Sequence, residues 1–236
     1  MIRFLPVSLV VISSFVLAGA PEAAAQSPDR AELLVKIESL RGQLQTKETT
    51  FLAPSAADFA AYSEFLKQPD TGMARLMPRE KYRTSLLTRG GGAYYSFTKL
   101  TNAYTSGSDI GWERGDLRVG FAGADFGFLT ALGDVAIESV TEEFAGVQFL
   151  SAFSPPSLLS DARVQQDRAS AHFENAGFTY GWSLKATENT TYALRSICYG
   201  TSDVLVVFRA TRVDADGSLI LAWKLLRKFP VPHLAF

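Results

Sequence analysis

The chain is poor in the residue types that most often carry chemistry. Its 236 residues include one cysteine, Cys198, and two histidines, His172 and His233. A single cysteine excludes an internal disulfide, which an exported protein of this size must then fold without. There is no His-Glu-x-x-His and no Cys-x-x-Cys, so no ligand pair has zinc-type spacing, and neither a metal nor another cofactor is expected. A Gly-x-Ser-x-Gly nucleophile elbow is also missing. Charge of one sign is lacking: 23 Lys and Arg stand against 24 Asp and Glu, a formal net charge of −1. That balance argues against nucleic acid or an anionic membrane surface as the main partner, since both need a basic face. Beyond the N-terminus no apolar run approaches the about 20 residues of a spanning helix, so no stable membrane insertion of the mature chain is expected. An outer-membrane barrel is disfavoured too. Pro230 and Pro232 interrupt the terminal strand, and the most apolar strands lack the apolar-out, polar-in alternation.

What is present begins at the N-terminus. Arg3 precedes an uncharged apolar run from Phe4 to Leu17, and Ala23 and Ala25 follow at signal-peptidase spacing. The pattern predicts a bacterial-type signal peptide over residues 1–25, cut after Ala25, and hence a periplasmic or extracellular protein. The run is too short for a retained anchor and ends in Pro21 and Glu22.

Residues 26–72 read as a helical pair. Ser27 and Pro28 suit the start of a helix over 27–50. Leu33, Ile37, Leu40 and Leu44 recur at spacings of four, three and four, with Lys47 where the next seam residue falls. Ser55 with Asp58 three residues later predicts a second helix, which Gln68-Pro69-Asp70-Thr71-Gly72 ends. Residues 73–236 read as a β-rich domain, one compact unit with the helices. Strands are expected near 84–88, 93–100, 117–121, 126–131, 135–140, 147–152, 178–184, 192–199, 204–212 and 218–226. Residues 157–168 read as a short helix or an irregular connection. Asp214-Ala215-Asp216-Gly217 predicts a hairpin turn. Leu225 at the twelfth position of that stretch excludes an EF-hand. Val204–Phe208 and Leu219–Trp223 are apolar at every position, which requires cover on both faces, by the helical pair on one and a second sheet on the other. The fold expected is α+β: a helical pair, then a largely antiparallel curved sheet, sandwich or half-barrel.

Candidate site residues come from one region. Arg89-Gly90-Gly91-Gly92 can bring backbone N–H groups together around an anion, although Ala93 follows where a P-loop needs Lys. The plainer reading is a tight turn. Glycines 107, 111, 115, 120, 123 and 127 read either as the bends of a strongly curved sheet or, functionally, as a half-open barrel whose mouth admits a ligand. Tyr94, Tyr95 and Trp112, with Tyr104, are candidate walls, and Arg89 is the candidate for an anionic group. Acids including Asp109, Glu113, Asp116 and Asp125 leave a carboxylate-pair hydrolase open. No catalytic role is assigned. The favoured function is an exported binding or interaction module for a small molecule or protein. The alternatives are a hydrolase using carboxylates in a cleft and a structural subunit self-associating through the first helix.

Overall fold

The computed structural model describes residues 29–235; the expected signal peptide lies outside them. In chain order the elements are α1 (Arg30–Leu52), α2 (Ala56–Ala61), β1 (Thr71–Leu76), α3 (Arg79–Tyr82), β2 (Tyr94–Tyr95), β3 (Ile110–Glu113), β4 (Asp116–Arg118), β5 (Phe126–Gly133), α4 (Ala145–Ala152), α5 (Leu159–Ala171), β6 (Phe173–Asn175), β7 (Phe178–Tyr180), β8 (Ser183–Lys185), β9 (Thr190–Cys198), β10 (Ser202–Val213) and β11 (Leu219–Lys228). The chain divides within α1, after Leu40, into two units, and the sheets belong to the second. The fold is α+β with antiparallel sheets.

The main sheet has the order β1-β11-β10-β9-β5, and a smaller sheet runs β2-β3-β4-β8. Because side chains alternate along a strand, β10 and β11 feed two cores. Leu205, Val207, Ile220 and Ala222 join Val147 and Leu150 of α4 and Ala162 and Ala169 of α5. Val204, Val206, Phe208, Leu219, Leu221 and Trp223 join Ile110, Trp112 and Leu117 of the smaller sheet. Both faces are covered, as the all-apolar strands require.

The helical cover differs from expectation. It comes from α4 and α5, with Phe65 beyond α2 contributing to the same core. Residues 147–152, expected as a strand, are α4. A short apolar run fits either element, and here Val147 and Leu150 face the core at helical spacing. Residues 135–140, also expected as a strand, hold a 3-10 turn at Ile137–Ser139 that buries Ile137 and Val140. Residues 84–88 form turns rather than a strand. The backbone N–H groups of Leu87 and Thr88 and the Thr88 hydroxyl all donate to the buried Glu48 carboxylate of α1, so a side chain takes the place of a ladder. Burial pushes that carboxyl up, and these hydrogen bonds outweigh it and hold it below the ordinary glutamate range.

α2 starts as its cap predicts. Ser55 Oγ accepts from Asp58 N, and the Asp58 carboxylate accepts from Ser55 N at 2.8 Å. The helix stops at Ala61, sooner than expected, and a 3-10 turn at Phe65–Lys67 then buries Phe65. β1, which no expected strand covered, begins at Thr71 in the stretch expected to end the helical pair, and it pairs with β11. Gly72 permits that pairing, since a Cβ there would lie 2.4 Å from the Trp223 ring. On the helix-facing side Arg195 is fully buried. Its guanidinium pairs with Asp203 (2.8 Å), donates to Leu150 O (2.8 Å) and lies over the Phe229 ring.

Candidate functional site

The glycine run builds one wall of a cleft. Gly90, Gly91 and Gly92 have φ of 84°, 66° and 74°, the left-handed region that side chains disfavour. A Cβ on Gly91 would lie 2.4 Å from the Tyr82 carbonyl, and one on Gly90 would lie 2.7 Å from the Tyr94 ring. The run is thus a tight turn pressed against the end of α3, and it delivers the chain into β2. There Tyr94 pairs with Gly111 of β3, and Gly111 pairs in turn with Arg118 of β4. Gly111 leaves space: a Cβ would sit 3.0 Å from the Phe121 ring and 3.2 Å from Tyr94.

Above this floor lies a cavity of about 390 Å³, lined by Arg79, Arg83, Tyr94, Tyr104, Trp112, Glu113, Arg118, Phe121 and Trp182 with Gly90, Gly111 and Gly120. The rings brace one another. Tyr94 lies 4.7 Å from Tyr104 and 5.0 Å, edge to face, from Phe121. Tyr104 donates its hydroxyl hydrogen to Phe121 O. Trp112 spends its indole N–H on Gly217 O at 2.9 Å, so it contributes a wall and no free donor.

The charges are arranged around Glu113. One of its oxygens, Oε2, accepts from Arg79 (3.1 Å) and from Arg118 (2.9 Å). The Arg118 guanidinium lies 5.2 Å from the Trp182 ring, and that of Arg79 lies 5.8 Å from the Tyr94 ring. Arg83, exposed at the mouth, makes no ion pair among the described residues. Several polar groups of the lining have no hydrogen-bond partner among the described residues, among them the Tyr94 hydroxyl, the Trp182 indole N–H, Glu113 Oε1, the Arg83 guanidinium and the buried Arg118 Nε. Burial pushes the Tyr94 hydroxyl above its ordinary value, with Arg79 opposing, so it stays a neutral donor near pH 7.

The four residues singled out by sequence do not share one site. Tyr94 and Trp112 line this cleft, whereas Tyr95 and Arg89 line a separate hollow of about 470 Å³. Adjacent residues of a strand face opposite ways, so Tyr94 and Tyr95 are parted by the pleat. Tyr95 packs on Phe97 and Trp223, and burial pushes its hydroxyl up to about 12. The Arg89 guanidinium lies 5.1 Å from the Tyr104 ring. Arg79, Arg83, Arg118, Phe121 and Trp182 went unread in the sequence. The four-residue spacing of Arg79 and Arg83 after Pro78 was the available signal for a basic helical turn.

Other reactive groups lie elsewhere. Burial pushes the Cys198 thiol up to about 12, with the Asp109 and Asp125 charges adding to it, which leaves it unreactive at neutral pH. Asp109 is enclosed and accepts from Phe97 N at 2.8 Å, and burial pushes its carboxyl up to about 6. His172 is exposed at the end of α5, with Nε2 2.9 Å from Ser183 O, and His233 is exposed in the tail. Among the described residues no three His, Cys, Asp or Glu side chains are placed to hold a metal ion. No described helix is long and apolar enough to cross a membrane.

No family model matches this chain, and no curated protein or solved structure is significantly similar to it. What the cleft can hold is therefore read from its own chemistry.

Proposed function

We propose that this chain is an exported binding module that holds a small anionic molecule in the cleft beside β2, β3 and β4. One observation carries the reading. In a chain of net charge −1, this cavity is lined by three arginines against one glutamate, among five aromatic rings. Its volume of about 390 Å³ falls within the usual range for small-molecule sites, and such sites are mostly apolar with a few fixed polar groups. Among the described residues, Glu113 is the only carboxylate in the lining. A glycosidase flanks one bond with two carboxyl groups, so the hydrolase alternative would need acids from outside this lining.

The test is a thermal-shift screen of the purified chain against carboxylates, phosphates, sugars and amino acids. A ligand at 100 times its dissociation constant adds about 2.7 kcal/mol, roughly 5–10 °C for a chain of this size. Shifts confined to anionic compounds support the reading. A shift only with neutral or cationic compounds removes it.

A second observation favours self-association. Leu33, Ile37, Leu40, Leu44 and Phe51 of α1 are all exposed, between 39% and 54%. Their 4-3-4 spacing, resumed at Phe51 after Lys47, suits the helix of a second copy. Size-exclusion chromatography with and without residues 26–40, a deletion that leaves Glu48 and the turn it holds in place, tests this, and a monomer in both removes it.

A further inference from the structure

The unpaired groups of the cleft specify more than an anion. We infer that its ligand is an acidic sugar: a hydroxylated ring that carries one carboxylate. This inference rests on the binding function proposed above for the same cleft.

The lining divides its polar groups by sign. Arg83 stands at the mouth as a cation with no counter-ion among the described residues. It matches one carboxylate, which a guanidinium can grip with two parallel hydrogen bonds. Deeper in, Glu113 is committed to Arg79 and Arg118 through Oε2 alone, which leaves Oε1 as an acceptor. A bound molecule that covers Oε1 must bring a hydrogen to it, because a buried acceptor left unmet is costly. A second carboxylate there has no hydrogen to offer that oxygen. The ligand must therefore carry its charge at one end and O–H donors at the other.

The remaining groups fit the same molecule. The Tyr94 hydroxyl and the Trp182 N–H are unspent donors for a ring oxygen or a hydroxyl oxygen. The rings of Tyr104 and Phe121, set edge to face at 76°, form an apolar corner in which the C–H face of a sugar packs against one ring face. The competing anions each lack one element. An aromatic carboxylate satisfies Arg83 but offers Glu113 no hydrogen. Inorganic phosphate satisfies Arg83 but leaves the aromatic wall and most of the 390 Å³ unused. A neutral sugar satisfies Glu113 and leaves Arg83 unmatched.

The experiment is a calorimetric titration of the full chain with glucuronate, glucose, benzoate and inorganic phosphate. It is repeated on Arg83→Ala and Glu113→Gln, with the melting temperature of each variant as the folding control. The expected result is that glucuronate binds at least about tenfold more tightly than the other three, as one charged hydrogen bond implies. Arg83→Ala should remove that advantage over glucose. Glu113→Gln should weaken glucuronate relative to benzoate, whose own affinity should not fall, because the change frees Arg79 and Arg118. If benzoate or phosphate binds as tightly as glucuronate, the sugar inference falls while the anionic cleft stands. If glucose binds as tightly as glucuronate and Arg83→Ala changes neither, the anionic cleft falls with it. If none of the four binds to the folded chain, both fall. Should Glu113→Gln melt far below the parent chain, Arg83→Ala alone decides, because its side chain is exposed.

Discussion

β9, β10 and β11 run for nine, twelve and ten residues, whereas between Arg79 and Phe121 no strand exceeds four. The long strands are apolar on both faces and are held by long antiparallel ladders, unbroken between β9 and β10 and shifted in register at Leu205/Val206 and Ala210/Arg212 between β10 and β11. The short-stranded segment is held by left-handed glycines, by Glu113 between two arginines, and by Glu48 gripping the turn at 87–88. Nearly all the unspent polar groups of the cleft lie in the second region. A rigid sheet lets a neighbouring segment give up regular pairing, and the groups that pairing leaves over become available to a ligand. The two regions should therefore fail differently, stability first in one and affinity first in the other.

The largest effect is expected in the long-stranded region. Arg195→Met strands Asp203 as an uncompensated buried charge and should cost about 3–5 kcal/mol by urea denaturation. Converting the pair together, Arg195→Met with Asp203→Leu, should recover most of that loss. A single-variant cost below about 1 kcal/mol would show that this pair does not hold the sheet.

Asp109, at the junction of the two regions, comes next. Its folded-state value is about 6 against an ordinary 3.8, so the folded chain keeps the proton to higher pH. Its stabilising contribution is complete below about pH 4 and is lost as pH rises through 6, by about 3 kcal/mol. Melting curves of the parent chain and of Asp109→Asn between pH 4 and 7 should diverge, with the variant gaining relative to the parent as pH rises. Parallel curves would show that the carboxyl is ionised throughout.

Gly91→Ala should cost about 1–3 kcal/mol, because the residue must hold φ 66° and its Cβ would meet the Tyr82 carbonyl at 2.4 Å. Unlike Arg195→Met measured below its melting point, it should also weaken ligand binding, since the turn positions both Arg83 and Tyr94. Equal affinity in the two variants would erase the contrast between the regions. Arg83→Ala should change stability by no more than about 0.5 kcal/mol, the usual range for a surface substitution, while lowering affinity for an anionic ligand. A large loss of stability there would place Arg83 among the groups that hold the fold.

Legibility in the sequence follows the same division. The long strands, the Asp214–Gly217 turn and the Ser55 cap were readable because each depends on residues adjacent in the chain. The β3 strand and the helix α4 were not, because short apolar runs take either form and distant packing decides between them. Of the cleft, Tyr94 and Trp112 were readable as aromatic candidates. Their separation from Tyr95 and Arg89 was not, because it depends on which face of β2 each residue takes. The arginines escaped because charge counted along a neutral chain conceals a local excess.

By itself, then, the sequence determined the α+β class, the long apolar strands that need cover on both faces, and the scarcity of metal-type and nucleophile motifs. These follow from composition, periodicity and local turn chemistry, which act over a few residues. Only the tertiary structure decided which helices cover the sheet, that Glu48 organises a turn some 40 residues away, and that Arg79 and Arg118 meet Glu113 among the rings, with Arg83 in the same lining. Those outcomes depend on contacts between residues far apart in the chain, and no local pattern encodes which distant partner will satisfy a charge or fill a space.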